Sequence, residues 1–522
     1  MHRLLLGLAT LVGGAAALPA QAQELACEGG VVSVPDVGAF ACDGVGLAGR
    51  LPVDAFATEE SPAAGANNDI WGWTDPETGT EYALVGTENG TAFVDLSIPT
   101  RPRLVGKLPT QSTPSGWRDV KTYRDHAFVV SEARGHGVQV FDLTRLRDAG
   151  ETPVTFAADA VYDRLSSAHN IVIDEETGFA YAVGSRPSSE AGLPASCDVP
   201  GFHAINIQDP KSPTFAGCFS DAAVETGSRT PGYTHDAQCV VYRGPDADYA
   251  GRELCVASNE DVVTVFDVTD KSDARIVSQA EYPGEAYTHQ GWLTDDQRFF
   301  LVNDELDEMT GTTPTQRTIL FDLGDLDAPE FIGAYDSGLT TADHNLYIRG
   351  GYAFESNYEA GLRIVDLGGV ASGKLREVAF FDTYPDANAV SFSGQWSNYP
   401  YFESGLVIAN DRAYGLFVLR PDVLRSTASE PRPDGTFALS APAPNPTPGT
   451  ARLTLQVATA QTVRADLYDA AGRHVRTLYA GEVGAGRDLA LTVDGAALTA
   501  GVYVVRVVGD GVEATRRVTF VR

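Results

Sequence analysis

Lysine is scarce in this chain, at five of 522 residues, and methionine scarcer still, at two. Basic residues number 38 against 70 acidic ones, a formal net charge of −32. A chain so short of cations has no footprint for a phosphate backbone, which excludes nucleic acid as a partner. The acidity reads as solubility outside the cell, or as a surface that collects cations. Cysteine is sparse too, at six. None forms a C-x-x-C, so zinc-ribbon and thioredoxin chemistry lack their ligands. The G-x-S-x-G, H-E-x-x-H and G-x-x-x-x-G-K-[ST] signatures of serine hydrolases, zincins and P-loop enzymes are missing. No transmembrane segment is expected, because no apolar run reaches the roughly 20 residues of a membrane helix. Long runs of period 3.6 are lacking as well, which excludes a helical solenoid.

What the chain does have is a repeat. Between Asn68 and Arg420 a unit recurs that opens on a polar pair and closes on an apolar-Asp-apolar triplet. The triplets are Val94-Asp95-Leu96, Phe141-Asp142-Leu143, Ile205-Asn206-Ile207, Phe266-Asp267-Val268, Phe321-Asp322-Leu323 and Val365-Asp366-Leu367, with Phe417-Val418-Leu419 in the last unit. The opening pairs begin at Asn68, Arg118, His169, His235, His289, His344 and Gln395, in steps of 50 to 66 residues. Those steps suit four-stranded blades. The fold class expected is all-β: a seven-bladed β-propeller over 44–421, followed by a small C-terminal β-sandwich. The last unit has pattern for three strands only, and an unpaired edge is a liability. The apolar stretch Val45–Val53 is expected to supply the fourth strand and latch the ring.

Flanking segments supply an address. Arg3, the apolar run Leu4–Leu18 and Ala20-Gln21-Ala22 read as a signal peptide over 1–22. Export suits the cysteines, which fall into local pairs Cys27/Cys42, Cys197/Cys218 and Cys239/Cys255, the first within an N-terminal disulfide segment, 23–43. From Pro421 to Pro448 there are seven prolines; this is a linker, placed at 422–443. Beyond it six short alternating segments, Arg452–Val457, Val463–Tyr468, Val475–Tyr479, Leu489–Val493, Val502–Val508 and Thr515–Val521, read as strands of the sandwich.

Two resemblances attach to these regions. Pro444-Asn445-Pro446, Leu467-Tyr468-Asp469-Ala470-Ala471-Gly472-Arg473 and Ala500-Gly501-Val502-Tyr503 resemble the C-terminal sorting domain of the type IX (Por) secretion system, over 444–522. That resemblance implies the type IX machinery as a partner, and an extracellular or outer-surface location. Asn68-Asp69-Ile70-Trp71-Gly72-Trp73, Thr234-His235-Asp236-Ala237-Gln238-Cys239, Thr288-His289-Gln290-Gly291-Trp292, Asn303-Asp304-Glu305-Leu306-Asp307-Glu308 and Asn357-Tyr358-Glu359-Ala360-Gly361 resemble the choice-of-anchor B family of surface proteins, with its LVIVD-type repeats, over about 25–421. The family brings a fold and an address but no established activity.

Comparison between units separates structural from functional residues. The triplet Asp is expected to accept backbone N–H groups in a turn. His169, His235, His289 and His344 hold one repeat position in four consecutive units, while Arg118 holds it in another. First strands line a propeller's channel, and ends of second strands share the face on which first strands begin. The histidines and Arg118 therefore converge with Glu132, Glu260, Asp304, Glu305 and Asn357 on one channel mouth, a candidate ligand-binding site; His136 and His203 should share that face. Imidazole with carboxylate is the ligand set of a divalent transition metal, and His169, His235, His289 and His344 are the metal candidates. The bland alternative is that each imidazole bonds a neighbour's backbone and packs the channel entrance. Trp71, Trp73, Trp117, Trp292 and Trp396 stand near unit starts, as sugar-stacking or inter-blade residues. Asp246 and Asp248, with Glu253 after them, outline an incomplete calcium loop. Two functions follow: a non-enzymatic surface module binding a protein or glycan, or a metal-dependent hydrolytic enzyme with Glu260 or Glu305 as base.

Overall fold

The structure is a computed structural model. It describes residues 23–424 apart from 36, 59–64, 190–191, 221–223 and 225–230, and 437–521 apart from short stretches. The signal peptide, most of the linker and the Pro444-Asn445-Pro446 motif lie outside the described residues. The chain divides into two compact units, Met1–Leu424 and Arg425–Arg522.

The first unit is all-β, built of small antiparallel sheets in chain order. The first sheet contains Asn67–Thr74, Glu81–Thr87, Gly90–Asp95 and Arg103–Pro109, with the short strand Val154–Thr155 added outside. The next four begin with Arg118–Tyr123, Asn170–Asp174, Asp236–Val241 and Thr288–Leu293 and have four strands each. The sixth begins with Leu346–Arg349 and the seventh with Gln395–Tyr399. Each first strand packs against the next in order, and Gln395–Tyr399 packs against Asn67–Thr74.

Burial on both faces explains the strands' continuous apolar character. In Glu81–Thr87, Ala83 and Val85 pack with Ile408, Leu416 and Val418 of the seventh sheet. Tyr82 and Leu84 on the other face pack with Val129 and Phe141 of the second. The triplet residues behave as local turn formers: Asp95, Asp142, Asn206, Asp267, Asp322 and Asp366 each accept the N–H two residues on.

Val45–Leu51 pairs antiparallel with Gly415–Pro421 and fills the outer position of the seventh sheet. The pairing shifts register between Leu47 and Gly49. A Cβ at Gly49 would stand 2.1 Å from the Pro99 carbonyl oxygen, so only glycine lets the latch pass there. Residues 23–43, expected as a separate segment, instead extend the sixth sheet: Gly38–Asp43 pairs with Arg376–Phe381, and Val31–Val34 pairs with Gly38–Asp43. The Cys27–Cys42 disulfide closes this hairpin, with Cα atoms 6.0 Å apart. Cys239 and Cys255 are bonded across directly opposed strand positions, and Cys197 is bonded to Cys218.

The second unit has sheets of three and four strands around Leu453, Leu455, Leu467, Val505, Val507 and Val518. Five of the six expected strands lie within longer ones, and the sixth, Thr515–Val521, overlaps Val512–Phe520 and overruns it by one residue. A seventh, Phe437–Leu439, pairs with Thr450–Val457 and corrects the linker assignment at its C-terminal end. No helix among the described residues is long and apolar enough to cross a membrane.

Candidate functional site

The sheets are tied to one another by polar side chains at or near their first strands. Asp119 accepts from Ile171 N, Asn170 donates to the His235 carbonyl, and Gln238 accepts from Leu293 N. Gln290 both donates to the Leu346 carbonyl and accepts from its N–H. Asn345 donates to Ser397 Oγ, and Asn410 of a second strand to the Asn68 carbonyl. Each first strand is the edge of its sheet, so these bonds satisfy backbone groups that would otherwise be stranded.

At the start of the first strands the histidines form a continuous arc. Ring centroids are 4.3 Å apart from His169 to His235, 4.3 Å from His235 to His289 and 4.4 Å from His289 to His344. Trp396 stands 4.8 Å beyond His344. His235 Nδ1 donates to the His289 carbonyl and His344 Nδ1 to that of Trp396. Two of the four therefore make the neighbour-backbone bond of the bland alternative. The cleft between the rings has about 10 Å³ free, the room of one water.

The arc is electrostatically uneven. Burial pulls His169 down, but the hydrogen bond and charge of Glu132, 2.7 Å from Nδ1, carry it above its ordinary value. Burial and the other imidazoles hold His289 far below it, and burial pushes His344 down to about 3. Glu305 stands between these two neutral rings, 3.6 Å from His289 Nε2 and 3.7 Å from His344 Nε2. The Tyr358 hydroxyl donates to it at 2.5 Å. Since His344 Nδ1 carries the proton given to Trp396, its Nε2 presents a lone pair to a carboxylate. That pairing of an imidazole lone pair with a carboxylate is one a cation could bridge. These three side chains offer ligand atoms within 4.8 Å of one another; His169 and His235 do not belong to that group.

The other expected residues are dispersed. Arg118 donates to the Thr87 carbonyl and Thr110 Oγ1 and meets His136 Nε2 at 2.8 Å. Burial, then Arg118, pushes His136 down to about 4. Glu260 holds a left-handed backbone, φ +73°, and exchanges backbone bonds with Thr288. Tyr358, at the matching point of the sixth sheet, is left-handed too, φ 43°; such strain gathers at functional sites. Asp304 and Asn357 are fully buried and committed inward, Asp304 to the Tyr282 hydroxyl and the N–H groups of Ala286 and Tyr287, Asn357 to Gln316. His203 lies between Tyr162 and Cys218. Glu253 bonds Lys271 and Tyr181, Asp246 caps its own turn and accepts from Leu326 N, and Asp246 groups with Asp325 and Asp327 rather than with Asp248 and Glu253, so the expected loop does not form one site.

At the opposite ends of the first strands lies a cavity of about 280 Å³ that sequence reasoning missed. Trp71, Trp292 and Tyr347 line it, with Trp292 and Tyr347 centroids 5.0 Å apart. Lys121 lies at its floor, 2.5 Å from Asp119 Oδ1 and 4.6 Å from the Trp71 ring centroid. Burial pushes Asp236, in the cavity lining, up to about 7; Asp69, outside the lining and 3.9 Å from Lys121, is pushed up to about 8 despite that cation. Near neutrality this floor both donates and accepts. The Trp71 and Trp292 identities were visible in sequence; that they share one wall was not, because they stand in the first and fifth sheets.

No known protein family and no curated protein matches the chain. Among solved structures it is similar to PorZ, a bacterial surface component of the type IX secretion system of Porphyromonas gingivalis, at 13% identity and TM-score 0.43, over 87% of this chain. The chain spans 59% of that protein's length. A Lactobacillus plantarum protein is similar at 13% identity and TM-score 0.42, covering 82% of this chain and 99% of that one. The computationally designed Ika8 protein is similar at 8% and 0.38, covering 76% and 94%.

Proposed function

We propose that residues 44–421 form a seven-bladed β-propeller of the choice-of-anchor B type, exported through a type IX sorting tail, that binds a glycan at the surface without catalysis. The observation that carries the binding reading is the aromatic-walled cavity at the second mouth. Trp292 is partly exposed and offers a flat apolar face, while Lys121, Asp236, Gln238 and Gln297 surround it with donors and acceptors. Sugars present that combination, with C–H faces for stacking and hydroxyls that both give and take hydrogen bonds. Three disulfides support an oxidising location. The test is a glycan array followed by calorimetry on the best binder. Trp292→Ala should weaken binding about tenfold or more, and His169→Ala should leave it unchanged. The reverse pattern would move the site to the histidine mouth.

A second reading, a metal-dependent hydrolase, is favoured by the facing lone pairs of Glu305 and His344. Atoms sharing an ion at about 2.0–2.1 Å stand about 3.3 Å apart in a tetrahedron, close to the separations found here. A backbone carbonyl on the opposite ring nitrogen, as Trp396 provides, is the usual partner of a metal-bound imidazole. Elemental analysis of untagged protein decides it. One zinc, manganese, iron or nickel per chain, lost in Glu305→Gln, supports this reading; none after reconstitution rejects it.

A further inference from the structure

Around the end of the fifth sheet's second strand, four carboxylates are withdrawn from water with one cation among them. Asp304 ends a second strand, Asp307 and Glu308 open the short helix Asp307–Thr310, and Asp343 precedes the first strand of the sixth sheet. Their exposures are 0%, 0%, 8% and 1%. Arg317 meets Asp307 Oδ2 at 2.8 Å, and Asp304 is satisfied as described above. Both oxygens of Glu308, both of Asp343, Oδ1 of Asp307 and the neutral amide oxygen of Asn303, itself 1% exposed, have no hydrogen-bond partner.

The neighbouring bonds hold these groups together. Asn303 sits opposite Thr318 in the strand ladder, next to Arg317, whose guanidinium grips Asp307. Gln316, on the other side of Arg317, donates to Thr341 Oγ1 and the Ala342 carbonyl, drawing in the backbone just before Asp343. Burying carboxyls without partners is unfavourable unless a proton or a cation sits among them.

We propose that Asn303, Asp307, Glu308 and Asp343 bind a calcium-class divalent cation, a site separate from the His289–Glu305–His344 group. All its ligands are hard oxygens, as calcium prefers. They do not close into a cluster within 4.8 Å, as that group does. Oxygens bound directly to one calcium at about 2.3–2.6 Å stand at most about 5.2 Å apart, so waters in its shell of six to eight oxygens would bridge to the more distant carboxylates. Since Glu305 and His344 adjoin the ligand residues, the cation would tie together the two segments that carry them. The inference rests on neither reading of function.

The test uses the full chain stripped with EDTA. Calorimetry with calcium chloride should give one ion per chain, and the melting temperature should rise with calcium. The Glu308→Gln/Asp343→Asn double variant should bind calcium at least about tenfold more weakly and lose the calcium-dependent rise. In EDTA it should melt at or above the wild type, since it buries fewer unpartnered carboxyls. A wild type unresponsive to calcium would overturn the proposal. So would a response equalled by magnesium and retained by the double variant, which would mean that surface carboxylates answer instead.

Discussion

His169 and His344 hold the same position in their sheets, yet their surroundings drive them in opposite directions. Burial opposes the charged form of both. At His169 it is outweighed by Glu132, and at His344 it meets only a backbone carbonyl. A raised histidine stabilises the fold fully below the ordinary value of about 6.5, and that contribution is lost as pH climbs through the folded value. A depressed one stabilises above about 6.5, and loses its contribution as pH falls. The arc therefore contains opposed pH responses. Replacing Glu132 with Gln removes what holds the proton on His169. The variant should melt below the wild type at pH 6, with the gap narrowing towards pH 9. Calorimetry that finds a gap flat across this range would show that the pair does not control the ring's protonation.

At the scale of elements, the latch makes the clearest claim. Leu47 is 4% exposed and packs with Phe381, Val407, Phe417 and Leu419, so it belongs to the core between the sixth and seventh sheets. Leu47→Ala should cost about 2–5 kcal/mol by denaturant titration, the range for a buried leucine. A loss within the noise of a surface substitution would mean that the seam closes without it. This strand was legible because its absence from the last unit was legible. The triplet turns were legible too, since an Asp and the N–H it accepts lie two residues apart. The staples were not. Gln290 and Leu346 are 56 residues apart, and nothing local marks one as the other's partner. The hairpin over Val31–Asp43 escaped for a related reason: its strands are short, and its partner is the outer strand Arg376–Phe381. The strand Phe437–Leu439 was hidden among prolines. At the histidine mouth, repeat position predicted convergence, but tight grouping depends on side-chain direction, which selected His289, His344 and Glu305 and left Asp304 and Asn357 turned inward.

Over the whole molecule, the buried acids set the response to pH. Burial pushes Asp69 up to about 8 and Asp236 and Glu355 up to about 7, while the unfolded chain has these groups near 4. Between those values the folded state holds more protons than the unfolded, so stability falls as pH rises through the folded values. The net charge of −32 acts in the same sense, because deprotonation adds to self-repulsion. Below about 6.5 the neutral His289 and His344 begin to oppose the trend. Far lower, the salt-bridged Asp75 and Asp142, both held near 2 in the folded state, lose their contribution as pH falls. The melting temperature, measured in a chelator, should therefore rise from pH 8 to about 6.5, level off, and fall below about pH 4. Asp236→Asn and Glu355→Gln together should flatten the slope between pH 8 and 6.5, since each removes one buried proton-binding group. Added salt should raise the melt more at pH 8 than at pH 6, because repulsion between exposed carboxylates is screened. A wild type that is most stable at pH 8 would mean that these carboxyls ionise in the folded protein as they do in water, with solvent reaching the channel floor.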